Sequence, residues 1–178
     1  MKLFKNIKKW LENQEHLFYL FLLILIVPNI ILCFTEPMPV VAKVCNVLLP
    51  FAFYYLLMTL SRNCGKMFWI LFLFIFFGAF QIVLLYLFGQ SIIAVDMFLN
   101  LVTTNSSEAM ELLDNLVPAL VSVIILYIPA LILAAISIIK KRKLSSEFIR
   151  RERKKAWIAL LIGFISLGAA YGLDKRYE

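Results

Sequence analysis

The sequence predicts an all-α membrane protein, and three observations carry that fold class. Hydrophobic residues make up 63% of the 178-residue chain and mean hydropathy is +0.91, where soluble domains run nearer ~45–50% apolar. Uncharged apolar runs long enough to cross a hydrocarbon core of ~30 Å recur along the chain. Lys and Arg gather in those connecting segments that alternate crossings bring to one side. Backbone polar groups in lipid need partners within their own segment, so the crossings are helices and not open strands.

The elements follow in chain order. Residues 3–14 predict a short amphipathic helix on the inner membrane surface. The apolar run behind it exceeds the ~7–15 residues of a cleaved signal core, and no small-x-small site follows. It is therefore a retained first span, 17–34. A second span, 40–60, carries Pro50. The third, 67–88, reads MFWILFLFIFFGAFQIVLLYLF; its aromatics are expected to face lipid and the interfaces, and Gln81 to hydrogen-bond a neighbouring helix. A non-cytoplasmic segment, 89–115, leads to a fourth span, 116–139, with Pro118 and Pro129. Prolines inside spans kink the helix and free carbonyls that neighbours must satisfy. After a basic loop, 140–155, comes a fifth span, 156–172. Its small residues, Ala159, Gly163, Gly168 and Gly172, allow close helix approach, within the chain or between two copies. No Asp, Glu, Lys or Arg is expected to be buried in the spans, which argues against an ion pump or proton-coupled transporter. The chain is read as one membrane domain, 1–178.

The net charge of +7 is explained by its distribution. Fifteen of the eighteen basic residues fall in the N-terminus, the 61–66 loop and the 140–155 loop. Lys43, Lys175 and Arg176 are on the other side with seven of the eleven acids. This bias predicts a cytoplasmic N-terminus, an outward C-terminus and attraction of the basic face to anionic headgroups. A nucleic-acid partner is not needed to account for it. Three cysteines make no disulfide framework; Cys33 and Cys45 are close enough to the outer surface that a bridge stays open, with two free thiols preferred. His16 stands alone at the inner interface, and no Cys/His cluster has metal-ligand spacing, so neither metal nor cofactor is expected in this chain.

One polar passage interrupts the apolar chain: NLVTTNSSEAMELLDNL, 100–116. Asp96, Asn100, Thr103, Thr104, Ser107 and Glu108 recur at helical spacing, so they form one stripe. Such a helix would lie in the outer interface with Ile92, Phe98 and Leu101 facing lipid. Two readings of Glu108 stay open. In one, Asn105 caps a helix and Glu108 is the third residue of a capping-box-like turn, where the helix dipole favours a carboxylate. In the other, Asn100, Thr104 and Glu108 converge on a small polar ligand.

DMFLNLVTTNSSEAMELL, 96–113, resembles the segment after the third span in the membrane domain of phosphoethanolamine transferases. The matching positions are Met97, Asn100, Thr104, Glu108 and Leu112-Leu113. Those enzymes modify lipid A and other envelope glycolipids in Gram-negative bacteria, and some confer polymyxin resistance. The resemblance implies an inner-membrane protein of five spans with a periplasmic C-terminus, and phosphatidylethanolamine as donor substrate. Asn100, Thr104 and Glu108 are the implied lipid-binding residues. It also implies a zinc-binding periplasmic catalytic domain of the alkaline-phosphatase type, with a threonine nucleophile, beyond Glu178; this chain alone is then expected to be inactive. Leu99 departs from the family pattern, where many members carry Gln. The alternative from another class is a small membrane scaffold or partner-binding subunit.

Overall fold

The computed structural model describes residues 2–35, 37–72, 74, 76–78 and 106–174; for 2–4, 8, 106–116, 118–120 and 173–174 it describes the backbone. Six helices make up the described chain: α1 (Lys2–Glu12), α2 (Gln14–Thr35), α3 (Val40–Met58), α4 (Cys64–Ile70), α5 (Ser106–Ile139) and α6 (Ser146–Asp174). No strand occurs among the described residues. Among the described residues, four helices are long and apolar enough to cross a membrane: α2, α3, Val121–Ile139 of α5 and Ser146–Gly172 of α6. The expected third span, 67–88, is described only through its beginning, which starts at Cys64, and Gln81 lies outside the described residues.

Local chemistry accounts for the helix starts. Asn13 separates α1 from α2 and caps the latter, its side-chain oxygen accepting from the Glu15 backbone N–H at 3.0 Å. Asn63 caps α4 in the same way through Lys66 N–H at 2.8 Å. Ser145 caps α6 through Phe148 N–H at 3.1 Å, with Glu147 in the first turn. That cap corrects the sequence expectation of a loop over 140–155. Residues 146–155 are helical, and the connection shrinks to 140–145. α5 likewise begins at Ser106, ten residues before the expected span, so 106–115 continues the crossing helix rather than a separate segment. Residues 89–105 lie outside the described residues. Pro28 joins Pro50, Pro118 and Pro129 as a proline inside a long helix.

The turn after α5 is a left-handed cap. Lys141 takes φ 49°, Arg142 N–H reaches Ser137 O at 3.1 Å, and Lys141 N–H reaches Ile138 O at 2.9 Å. A β-carbon makes this conformation costly for lysine, and the cap hydrogen bonds offset that cost.

Lipid is as apolar as leucine, so helices there are held by close packing and polar ties rather than by water exclusion. Among the described residues both occur mainly at the end that carries the basic loops. Phe18, Phe21, Met58, Cys64, Phe68, Leu144 and Ala156 are fully buried there. Phe21 stacks on Phe68 with centroids 4.4 Å apart, and Phe18 meets Phe148 edge-on at 5.4 Å. A β-carbon on Gly65 would lie 2.4 Å from Ala134 O, so its absence sets the approach of α4 to α5. Gly163 packs on Leu49 of α3, which is intramolecular use of the small-residue face; Gly168 and Gly172 meet nothing within 4 Å. Trp69, Phe74, Phe76 and Phe77 are exposed, as expected for lipid-facing aromatics, but Phe68 belongs to the core.

Candidate functional site

Of the three expected ligand residues, Asn100 and Thr104 lie outside the described residues. Glu108 is the third residue of α5, described through its backbone. It precedes Ile139 by thirty-one residues, about 46 Å along a straight helix axis. A hydrocarbon core takes up only ~30 Å of that length, so a crossing α5 carries Glu108 past the core at the end away from the basic loops.

A polar layer sits inside the bundle about 20 Å above the basic end, judged by helix rise. Asn46 of α3 donates from Nδ2 to Asn29 O of α2 at 3.0 Å, and Asn29 Nδ2 donates to Asn46 Oδ1 at 3.3 Å. Cys33 Sγ bonds Lys43 O at 3.4 Å and lies 3.5 Å from Asn46 Nδ2. All three cysteines are free thiols in this structure. Beside this layer a cavity of about 230 Å³ is lined by Pro28, Asn29, Tyr54, Phe74 and Gly78. The Tyr127 hydroxyl of α5 lies 3.9 Å from where a β-carbon on Gly78 would stand, and it is buried without a hydrogen-bond partner. Neutral donors and acceptors with no nucleophile–base pair can hold or pack a small polar group but offer no acid–base chemistry.

The second cluster is at the basic end and was not anticipated from the sequence. Glu152 of α6 is completely buried. Tyr55 of α3 donates its hydroxyl to Oε2, while Arg151 Nε at 2.9 Å and Lys155 Nζ at 3.0 Å donate to Oε1. The sequence predicts no Asp, Glu, Lys or Arg buried in any of the five spans. Glu152 precedes the expected fifth span, 156–172, but belongs to Ser146–Gly172, the part of α6 long and apolar enough to cross, so that expectation is corrected there. Around it, Arg153 donates to Thr59 O at 2.6 Å, Arg62 Nε to Leu144 O at 2.9 Å and Asn63 Nδ2 to Arg142 O at 3.0 Å. Gln14 Oε1 accepts from Ser137 Oγ at 2.7 Å and from Cys64 Sγ at 3.6 Å, leaving Gln14 Nε2 buried and unpartnered. These contacts satisfy loop carbonyls and tie α2, α3, α4, α5 and α6 together. Their chemistry is structural, since every strong acceptor is already occupied.

His16 bonds Trp10 O through Nδ1 at 3.2 Å and stacks on the Trp10 ring. Among the described residues no three His, Cys, Asp or Glu side chains gather as metal ligands. The chain matches no protein-family model, no curated protein and no solved structure.

Proposed function

We propose that this chain is the membrane domain of a phosphoethanolamine transferase in a Gram-negative inner membrane. In this reading the polypeptide crosses five times, with the N-terminus cytoplasmic and the C-terminus periplasmic. Its task is to anchor a periplasmic catalytic domain and to hold phosphatidylethanolamine for transfer to lipid A or another envelope glycolipid. Asn100, Thr104 and Glu108 would bind the donor's headgroup. A carboxylate opposite an ethanolammonium makes a charge-assisted hydrogen bond, and the neighbouring amide and hydroxyl can satisfy the phosphate oxygens. Zinc ligands and the threonine nucleophile belong to the domain expected beyond Glu178.

The observation that carries the reading is the 96–113 pattern, Met97, Asn100, Thr104, Glu108 and Leu112-Leu113. The length of α5 is compatible with it, because an α5 that crosses the membrane would carry Glu108 out of the hydrocarbon at the end away from the basic loops. The test uses the full-length protein expressed in a Gram-negative host, with lipid A analysed by mass spectrometry for added phosphoethanolamine. Glu108→Ala and Glu108→Gln are expected to lose transfer by at least about tenfold, as removal of one charged partner of ~1.4 kcal/mol or more requires. Membrane insertion should be unchanged. Wild-type transfer in both variants overturns the assignment of Glu108. A reading frame that stops directly after Glu178 overturns the transferase reading as a whole and leaves the scaffold alternative.

A further inference from the structure

A groove at the basic end, between α1 and α5, is unlike the polar ties around it. It has a volume of about 290 Å³ and apolar walls formed by Ile7, Leu11, Leu17, Leu133 and Ile136. Glu12, Lys140 and Arg142 stand at its rim. Lys140 and Arg142 flank the left-handed residue Lys141 at the end of α5. Arg142 reaches across the groove mouth, donating from Nη1 to the Glu12 backbone carbonyl at 3.3 Å, not to its carboxylate. The ion pairs among the described residues both involve Glu152, so neither rim cation is neutralised by one. Lys5 and Lys9 add exposed cations along α1.

We propose that this groove is a binding site for an anionic glycerophospholipid of the leaflet facing the basic loops. One acyl chain occupies the space between Leu11, Leu133 and Ile136, and the phosphate meets Lys140 and Arg142. Charge complementarity decides the occupant. The rim carries two cations, Lys140 and Arg142, against the one carboxylate of Glu12, with Lys5 and Lys9 along α1, so its net charge is positive. An apolar slot so flanked matches an acyl chain joined to a phosphate, whereas a zwitterionic lipid brings its own cation to the same rim. The site is independent of the donor-lipid reading, which concerns the opposite end of the bundle.

The test is competitive lipid retention. The purified full chain is reconstituted in equimolar phosphatidylglycerol and phosphatidylcholine, extracted, and its bound lipids are counted by native mass spectrometry. Wild type is expected to retain phosphatidylglycerol over phosphatidylcholine by roughly tenfold or more. Lys140→Gln alone, an exposed position with no side-chain hydrogen bond to lose, should reduce that preference severalfold. Lys140→Gln/Arg142→Gln should abolish it. Ile136→Trp fills the slot without changing charge and should lower retention of phosphatidylglycerol. Arg150→Gln/Lys154→Gln removes the same charge from exposed positions on α6 and should leave the preference intact. No preference in wild type, or equal losses from the two double substitutions, overturns the site and leaves only diffuse surface attraction.

Discussion

Tyr55→Phe removes one hydroxyl and changes little else, so it isolates what the buried Glu152 cluster contributes. Tyr55 and Glu152 are both buried, 97 residues apart in sequence, and their hydrogen bond joins α3 to α6. A hydrogen bond to a charged group contributes about 1.5–3 kcal/mol, and the phenylalanine leaves no cavity, so the substitution should cost that much. The two ion pairs of Glu152 should matter less. The side chains of Arg151 and Lys155 are 59% and 54% exposed, which brings each pair near the ~0.2–1 kcal/mol of surface pairs. Glu152→Gln keeps an acceptor for Tyr55 and should therefore cost only about 1 kcal/mol. Glu152→Ala loses the acceptor, orphans the tyrosine hydroxyl and opens a void, for about 3 kcal/mol or more. In a double-mutant cycle, Tyr55→Phe added to Glu152→Ala should cost almost nothing further. The assay is reversible unfolding of the purified protein in mixed micelles of neutral and anionic detergent, followed by circular dichroism. Tyr55→Phe within about 0.5 kcal/mol of wild type, with Glu152→Gln as damaging as Glu152→Ala, would refute the hydrogen-bond argument and assign the cluster to its ion pairs.

Two glycines should respond in opposite ways. Gly65→Ala drives a methyl into Ala134 O and should cost about 2 kcal/mol or more in the same unfolding assay, since backbone must move. Gly168→Ala meets open space and should be neutral or stabilise by about 0.5–1 kcal/mol through helix propensity. Cys64 supplies a further check. Burial pushes its thiol up to about 11 from an ordinary value near 9, so at pH 8 the folded protein should resist alkylation at Cys64, with at least a hundredfold faster labelling after denaturation. Because the shift is upward, the stability linked to this thiol is complete below pH 9. It is lost as pH rises towards 11, where the unfolded chain releases the proton first. Mass spectrometry of the labelled peptide reads the first effect, and unfolding between pH 8 and 11 the second.

The long apolar runs were legible because hydrocarbon thickness imposes a length, and α2 and α3 end within a few residues of their expected bounds. α6 was cut short because RRERKK reads as a loop by charge alone. Its helical signal was nonetheless present. Ser145 with Glu147 two residues on is a start signal, and Phe148, Ile149, Glu152 and Ala156 recur on one helical face, all of them buried. A carboxylate at the centre of an apolar stripe asks for a partner, but the partner, Tyr55, belongs to another span that no periodicity points to. Asn29 and Asn46 were visible as amides within apolar runs; that they meet each other, and that the Gln14 carbonyl gathers Ser137 and Cys64, follows only from the packing.

The distribution of these ties bears on which end of the bundle can be a working surface. Without a hydrophobic force between helices in lipid, the geometry of each helix is set where polar groups are shared and where small residues admit close contact. Among the described residues, Glu152 with Tyr55, Asn63 with Arg142, Gln14 with Ser137 and Gly65 with Ala134 are all at the basic end. The Asn29–Asn46 pair adds a second level higher up, between α2 and α3. Beyond that level α6 presents Leu161, Phe164, Ile165 and Tyr171 outwards, with Gly168 and Gly172 unpacked. A bundle clamped at one end positions that end for loops and lipid headgroups that need a rigid frame, as the groove between α1 and α5 does.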